Sequence, residues 1–154
     1  MTQSHSMRAA VLESHGAAFR HTTVARPAAG AGQVLVRIMA SGINPLDLKI
    51  RSGEAPHARH PLPAILGIDM AGVIQAVGPG VSKFRIGDEV YGMTGGVGGV
   101  QGSLAEFAAV DADLLALKPS NFSMREAAAL PLIFITAWEG LVDRAGIRSG
   151  QSLL

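Results

Sequence analysis

Cysteine is absent from this 154-residue chain, which excludes a disulfide framework and every metal site built on thiolates. Aromatic residues make up only 5% of it, with one tryptophan and one tyrosine, so ring stacking is confined to a few places. No charge of one sign dominates. The 13 basic and 12 acidic residues are dispersed and sum to +1, leaving no basic stripe for a phosphate backbone and no polybasic membrane patch. Nucleic acid and membranes are therefore not expected partners. A long apolar run is missing as well. The richest window, 127–138, is interrupted by Pro131, contains Thr136 and lies between Glu126 and Glu139, so it reads as a buried helix and not as a membrane span. The leader Met1-Thr2-Gln3-Ser4-His5-Ser6 has neither the basic start nor the apolar middle of a signal peptide. It reads as an extension or tag remnant, and the cytoplasm is the expected compartment.

What is present is enough apolar residue, 48% against 16% charged, for one folded domain with a core of its own. Between Met7 and about Leu117 the chain consists of short β-type runs divided by Gly and Pro. Strands are expected at 9–12, 19–25, 34–40, 69–77, 89–91, 103–110 and 114–117, with Val34, Val36 and Ile38 on one face of the third. Many short strands with glycine-rich turns argue for a sandwich or barrel. Asn44-Pro45 opens a helical turn through Lys49, because Asn caps well and Pro suits the first helical position. After Lys118-Pro119 the texture becomes helical. Ser123-Met124-Arg125-Glu126 matches a capping box, Pro131 begins a second helix over 132–144, and Gly146 closes it. Gln151-Ser152-Leu153-Leu154 then looks like the start of a buried strand. Trp138, with Phe134 and Leu141 at spacings of four and three, is expected in the core.

Several motifs occur in one order: Ala40-Ser41-Gly42-Ile43-Asn44-Pro45-Leu46-Asp47, then Gly67-Ile68-Asp69-Met70-Ala71-Gly72 running on to Val77-Gly78-Pro79-Gly80, then Gly87-Asp88-Glu89-Val90, then Gly102-Ser103-Leu104-Ala105-Glu106-Phe107, then Ala129-Leu130-Pro131-Leu132 and Thr136-Ala137-Trp138. In combination they resemble the medium-chain dehydrogenase/reductase superfamily, in its zinc-independent branch similar to quinone oxidoreductases. The resemblance implies a mainly β fold with helices: a GroES-like, partly open β-barrel, followed by two connecting helices leading to a Rossmann domain that the chain does not reach. On that reading 1–6 is an extension, 7–122 an incomplete GroES-like catalytic domain, and 123–154 the connecting helices with the first strand of a truncated nucleotide-binding domain.

Zinc members of the superfamily carry a Cys where this chain has Asn44, a His where it has Ile68, and a third ligand where it has Leu132. None of these three side chains is a usual zinc ligand. A second metal candidate, His57-Ala58-Arg59-His60, has helical i, i+3 spacing, but Pro56, Pro61 and Pro63 disfavour a helix, so two solvent-exposed loop histidines are expected. The glycine tract over 95–102 fails the G-x-G-x-x-G spacing, since Gln101 stands where the third Gly is needed, and reads as a hairpin or surface loop.

The resemblance implies a hydride transfer between NADPH, or NADH, and a quinone, enone or related conjugated carbonyl, with no zinc. It places Asn44 against the nicotinamide ribose or the substrate and Thr136 near the nicotinamide. Asp47 corresponds to a residue that orients the His ligand in zinc enzymes. Here it either contacts substrate or holds the Asn44 turn by hydrogen bonds. Tyr91 either lines the cleft and donates a proton or packs at a strand edge, while Asp69 and Glu106 read as structural carboxylates at strand ends. Thr136 has a bland alternative too, as a buried hydroxyl bonded to the preceding turn. Lys49 and Ala55 stand where quinone reductases often carry Tyr. A full-length homodimer is implied, its dimer contacts made largely by the missing domain. Two other readings stay open: a non-enzymatic GroES-like interaction module, and a dehydrogenase of alcohols or aldehydes. The ligand substitutions predict that metal-washed protein holds less than one zinc per chain by elemental analysis; a tightly held stoichiometric zinc overturns this reading.

Overall fold

The computed structural model describes residues 5–153. Residues 1–4 of the expected leader, and Leu154 of the expected last strand, lie outside the described residues. Eight strands are present: β1 (Ser6–Leu12), β2 (Arg20–Ala25), β3 (Gln33–Ser41), β4 (Ala64–Ile65), β5 (Asp69–Val77), β6 (Glu89–Met93), β7 (Phe107–Asp111) and β8 (Leu115–Leu117). Three helices, α1 (Pro45–Ser52), α2 (Met124–Ala128) and α3 (Pro131–Trp138), accompany them. The strands form a three-stranded sheet in the order β2-β1-β4 and a five-stranded sheet in the order β7-β3-β5-β6-β8. An antiparallel bridge between Ala9 and Ala105 joins the two, giving the expected open, strand-rich architecture.

The five-stranded sheet carries the larger core. β3 pairs with β5 on one side and β7 on the other, so Val34, Leu35 and Val36 are all buried. Met70 and Ile74 of β5, Val90 of β6 and Val110 of β7 close around them with Phe84 and Leu115. Burying side chains of this size stabilises by roughly 1.5–3 kcal/mol apiece before entropy is counted. A glycine allows the closest approach of β3 and β5: a Cβ at Gly72 would lie 2.3 Å from the Arg37 carbonyl oxygen. A second cluster, Leu12, Ile50, Leu66 and Ile68, packs α1 against β1 and the β4–β5 connection. At the end of β8, Lys118 is paired with Glu89 at 3.0 Å and donates to the Phe122 carbonyl at 2.6 Å, which ties the sheet to the turn before α2.

Four expectations need correction. The strand read over 103–110 begins only at Phe107, because Ser103 and Leu104 use their backbone N–H groups on the Gly67 and Leu66 carbonyls and the Ser103 hydroxyl on the Asp69 carbonyl. The helix read over 132–144 is α-helical from Pro131 to Trp138 and continues as a π-helical segment, Glu139–Arg144. Residues 151–153 are not in a strand, since no neighbouring strand is present among the described residues to pair with them. The apolar window is not buried. α3 touches the sheet chiefly through its first turn, so Ile133, Phe134, Ile135 and Trp138 are exposed, and the expected core ring Trp138 remains 50% accessible. Hydrophobicity all round a helix signals burial only when the surface that covers it is present.

Gly42 marks where the sheet meets the second helix. Its N–H donates to the Asp69 carbonyl at 3.0 Å, and a Cβ there would fall 2.3 Å from the Ala128 carbonyl oxygen and 3.0 Å from the Asp69 Cβ. Gly42→Ala is therefore expected to cost about 1–3 kcal/mol, as overpacking in a dense region does. Urea denaturation of the two chains measures it, and equal midpoints contradict the close approach.

Candidate functional site

The site begins at the end of β3, where the chain turns into α1. Pro45 opens the helix, and Asn44 occupies the position before it in extended backbone conformation. Asp47, in the first turn, reaches back and accepts from the Asn44 backbone N–H at 2.7 Å, the carboxylate half of a capping box. Its second oxygen accepts from the Ile68 backbone N–H at 3.1 Å. One carboxylate thus holds the helix start and the glycine signature together, which is the turn-holding alternative raised for Asp47.

Asp69 does the same for a second pair of segments. It is the first residue of β5, its side chain is completely buried, and its Oδ2 accepts from the Asn44 side-chain Nδ2 at 3.0 Å. The same carboxylate accepts from the Leu132 backbone N–H at 3.1 and 3.2 Å. Leu132 lies in the first turn of α3, whose unpaired amides favour an anionic partner. Asn44, Ile68 and Leu132, matched separately in the sequence to the three zinc-ligand positions, are thus assembled in one place by two buried carboxylates. The Ile68 and Leu132 side chains belong to the hydrophobic cluster of Leu12, Ile50 and Leu66. Among the described residues no group of three or more His, Cys, Asp or Glu is placed to hold a metal ion.

Ser103 is a further member that sequence reading passed over. It is buried, its hydroxyl donates to the Asp69 carbonyl at 2.9 Å and lies 2.6 Å from the Ser41 hydroxyl. Gly67 sits at φ +102, where a Cβ would lie 2.4 Å from the Ser103 oxygen, so only glycine leaves room for this serine. The one available signal was a serine inside a segment with a strand pattern, which composition cannot distinguish from a surface residue. Asp69 was legible as a structural carboxylate, but its partners lie 25 and 63 residues away.

The other expected site residues lie outside the hydrogen bonds made by Asp47 and Asp69. Tyr91 is half-buried in β6 and packs against Ala71, Ala127 and Ala128 with Phe122 and Met124, in a cluster that does not include Asn44. It also lines a groove of about 540 Å³ with Leu114, Leu130, Phe134 and Ile135. Thr136 donates from Oγ1 to the Leu132 carbonyl at 2.7 Å, as its bland reading holds, but the residue is exposed, because α3 stands away from the sheet there. His57 is exposed in a single 3-10 turn, Pro56–Ala58. His60 is not: it is buried, and its Nδ1 accepts from the Gly99 N–H at 3.1 Å, because the glycine tract folds back over it. Burial pushes the His60 imidazole below its ordinary value, partly opposed by the Val97 carbonyl. The tract itself is a loop buried at its base, at Thr94 and Gly95, and exposed at its tip over 98–100. Glu106 is an exposed partner of Arg8 across the two sheets, as a structural carboxylate should be.

With this geometry in hand, comparison with known proteins is decisive at family level. The family described as alcohol dehydrogenase GroES-like domain matches residues 30–120. The chain belongs to it. A 2-methylene-furan-3-one reductase from Solanum lycopersicum is 47% identical over 137 residues, covering 86% of this chain and 35% of that protein. An NADPH-dependent alkenal/one oxidoreductase, chloroplastic, from Arabidopsis thaliana is 44% identical over 126 residues, covering 79% of this chain and 32% of that protein. An alcohol dehydrogenase superfamily protein from Novosphingobium aromaticivorans, whose crystal structure is known, is 63% identical with a TM-score of 0.92, covering 94% of this chain and 44% of that one. The chain therefore spans about a third of the curated relatives' length and less than half of the solved structure, within the medium-chain dehydrogenase/reductase superfamily.

Both carboxyls are pushed above their usual range, in each case mainly by burial; the hydrogen bonds that each accepts oppose the shift, and the charge of Asp47 adds to it at Asp69. A raised value in the folded state means that, between 3.8 and that value, the folded chain holds a proton the unfolded chain has released. The contribution of Asp69 to stability is therefore full below 3.8 and is lost as pH rises through the folded value. Consequently the urea midpoint of the native chain relative to Asp69→Asn should rise as pH is lowered from 7 toward 4. A flat or opposite trend contradicts the burial of a strained carboxylate.

Proposed function

We propose that the protein carrying this chain is an NADPH-dependent reductase of conjugated carbonyls, with enones and alkenals as the first substrate class and quinones within the same chemistry, acting without zinc. The observation that carries the reading is the packing at the would-be metal position, where Ile68 and Leu132 fill the space with hydrocarbon and two carboxylates spend their lone pairs on Asn44, Ile68 and Leu132 amides. A Lewis-acid route needs donors that these residues do not offer. The printed names of the tomato and Arabidopsis relatives support the substrate class and the choice of NADPH.

When bound, NADPH would supply a hydride for the carbon β to the carbonyl, the proton at the α carbon coming from solvent. This chain's part is to position the acceptor and to exclude water. Asn44 fits such a role through its amide, which is neutral and hydrogen-bonding and is held beside the first turns of α1 and α3. Thr136, exposed on α3, belongs to the same proposal as a second contact to the nicotinamide side. Tyr91, half-buried where the groove beside α3 begins, keeps both of its readings, as a cleft residue that donates a proton or as packing for α2. The glycine tract over 95–102 does not fit the phosphates: the Gly96, Gly98, Gly99 and Gly102 N–H groups are used on Val100, Arg59, His60 and Ile65. The pyrophosphate contacts are therefore assigned to a Rossmann domain beyond this chain, and a homodimeric full-length protein in the cytoplasm completes the proposal.

In the full-length protein, Asn44→Ala is expected to lower kcat/KM for a small enone by about tenfold or more, a loss of ~1.4 kcal/mol of transition-state stabilisation. Steady-state kinetics with NADPH and a purified enone measure it. Unchanged kinetics remove Asn44 from the site, and absence of any enone reduction by the unsubstituted protein removes the substrate class.

A further inference from the structure

The hydrogen bonds around Asn44 do more than join segments, because an amide has two different ends. A carboxylate oxygen accepts and does not donate, so the partner that Asn44 offers to Asp69 must be the nitrogen end. The Nδ2 to Oδ2 distance of 3.0 Å, at a carboxylate with no exposure, commits one of the two amide protons. Asp69 is itself held from a third direction, by the Leu132 backbone N–H at 3.1 and 3.2 Å, and its own carbonyl accepts from the Ser103 hydroxyl and the Gly42 N–H. The carboxylate that grips the amide is therefore braced at both its side chain and its backbone.

Resting on the reading of Asn44 as a ligand contact, we infer that Asp69 is a positioning residue: it fixes the Asn44 amide with its nitrogen end toward the carboxylate and thereby sets the edge that this amide presents to a ligand. The same carboxylate seats the first turn of α3, so orientation of the amide and placement of Thr136 are set by one residue.

The amide orientation can be read on this chain without any enzyme assay. The sequence holds two asparagines, Asn44 and Asn121, and Asn121 is exposed, so its side-chain protons serve as an internal reference. Side-chain amide hydrogen exchange by nitrogen-15 NMR is expected to be at least tenfold slower for Asn44 than for Asn121. Equal rates in the unsubstituted chain overturn the inference. In Asp69→Asn, whose shape is nearly unchanged but whose single acceptor oxygen must serve both Leu132 and Asn44, the Asn44 rate should rise while circular dichroism stays the same. Unaltered Asn44 exchange in that folded variant also overturns it. In the full-length protein, Asp69→Asn and Asn44→Ala should lower kcat/KM non-additively, the double variant falling within about twofold of Asn44→Ala. Multiplied losses show that Asp69 acts independently of Asn44 and defeat the positioning role. Failure of the reductase assay in the unsubstituted protein, with slow Asn44 exchange, strikes the proposed function alone and upholds the orientation.

Discussion

Everything near the candidate site depends on two carboxylates that have been taken out of water. Burying a charge is costly unless its lone pairs are filled, and here the donors that fill them come from three separate stretches of chain: the loop after β3, the glycine signature and the first turn of α3. The cost explains the arrangement. Removing any one donor leaves a buried acceptor unsatisfied, at roughly 1–3 kcal/mol, so these segments are locked to one another more firmly than their few apolar contacts alone provide. Asp47 and Asp69 also repel each other, which the surrounding amides must outweigh.

Around that polar knot the packing is dry. Ile68 and Leu132 belong to the cluster built on Leu12, Ile50 and Leu66, so a position that holds imidazole or carboxylate in metal-binding relatives is here continuous with the hydrophobic core. A site of this kind has little to polarise a carbonyl with, and much to orient a ligand with. On the proposed function its chemistry comes from a cofactor's own reactivity and from geometry, in keeping with relatives named as reductases of conjugated carbonyls. The exposed apolar length of α3 shows the other side of the same economy: its anchoring turn is pinned by Asp69, while the tilted rings of Phe134 and Trp138 meet at 5.9 Å between centroids and stay exposed.

Local chemistry made part of this legible in the sequence. Asn44-Pro45 and Ser123-x-x-Glu126 announced two helix starts because capping is satisfied within four residues, and Val34-x-Val36-x-Ile38 announced a strand because side chains alternate every second residue. The turn-holding role raised for Asp47 was within reach for the same reason: its first partner is three residues away. His60, by contrast, looked exposed among prolines. Its burial comes from a loop 39 residues further on, which no local pattern contains.

The amino-acid sequence by itself determined the family, the strand-rich architecture, the lack of thiolates and the replacement of the zinc-ligand side chains by Asn44, Ile68 and Leu132, because these are properties of residue identity and short-range spacing. Only the tertiary structure decided how those three residues are held together. Asp69 meets Asn44 and Leu132 across 25 and 63 residues, and which end of an amide faces a carboxylate is a fact of three-dimensional contact, since hydrogen bonds are directional and sequence carries no direction in space.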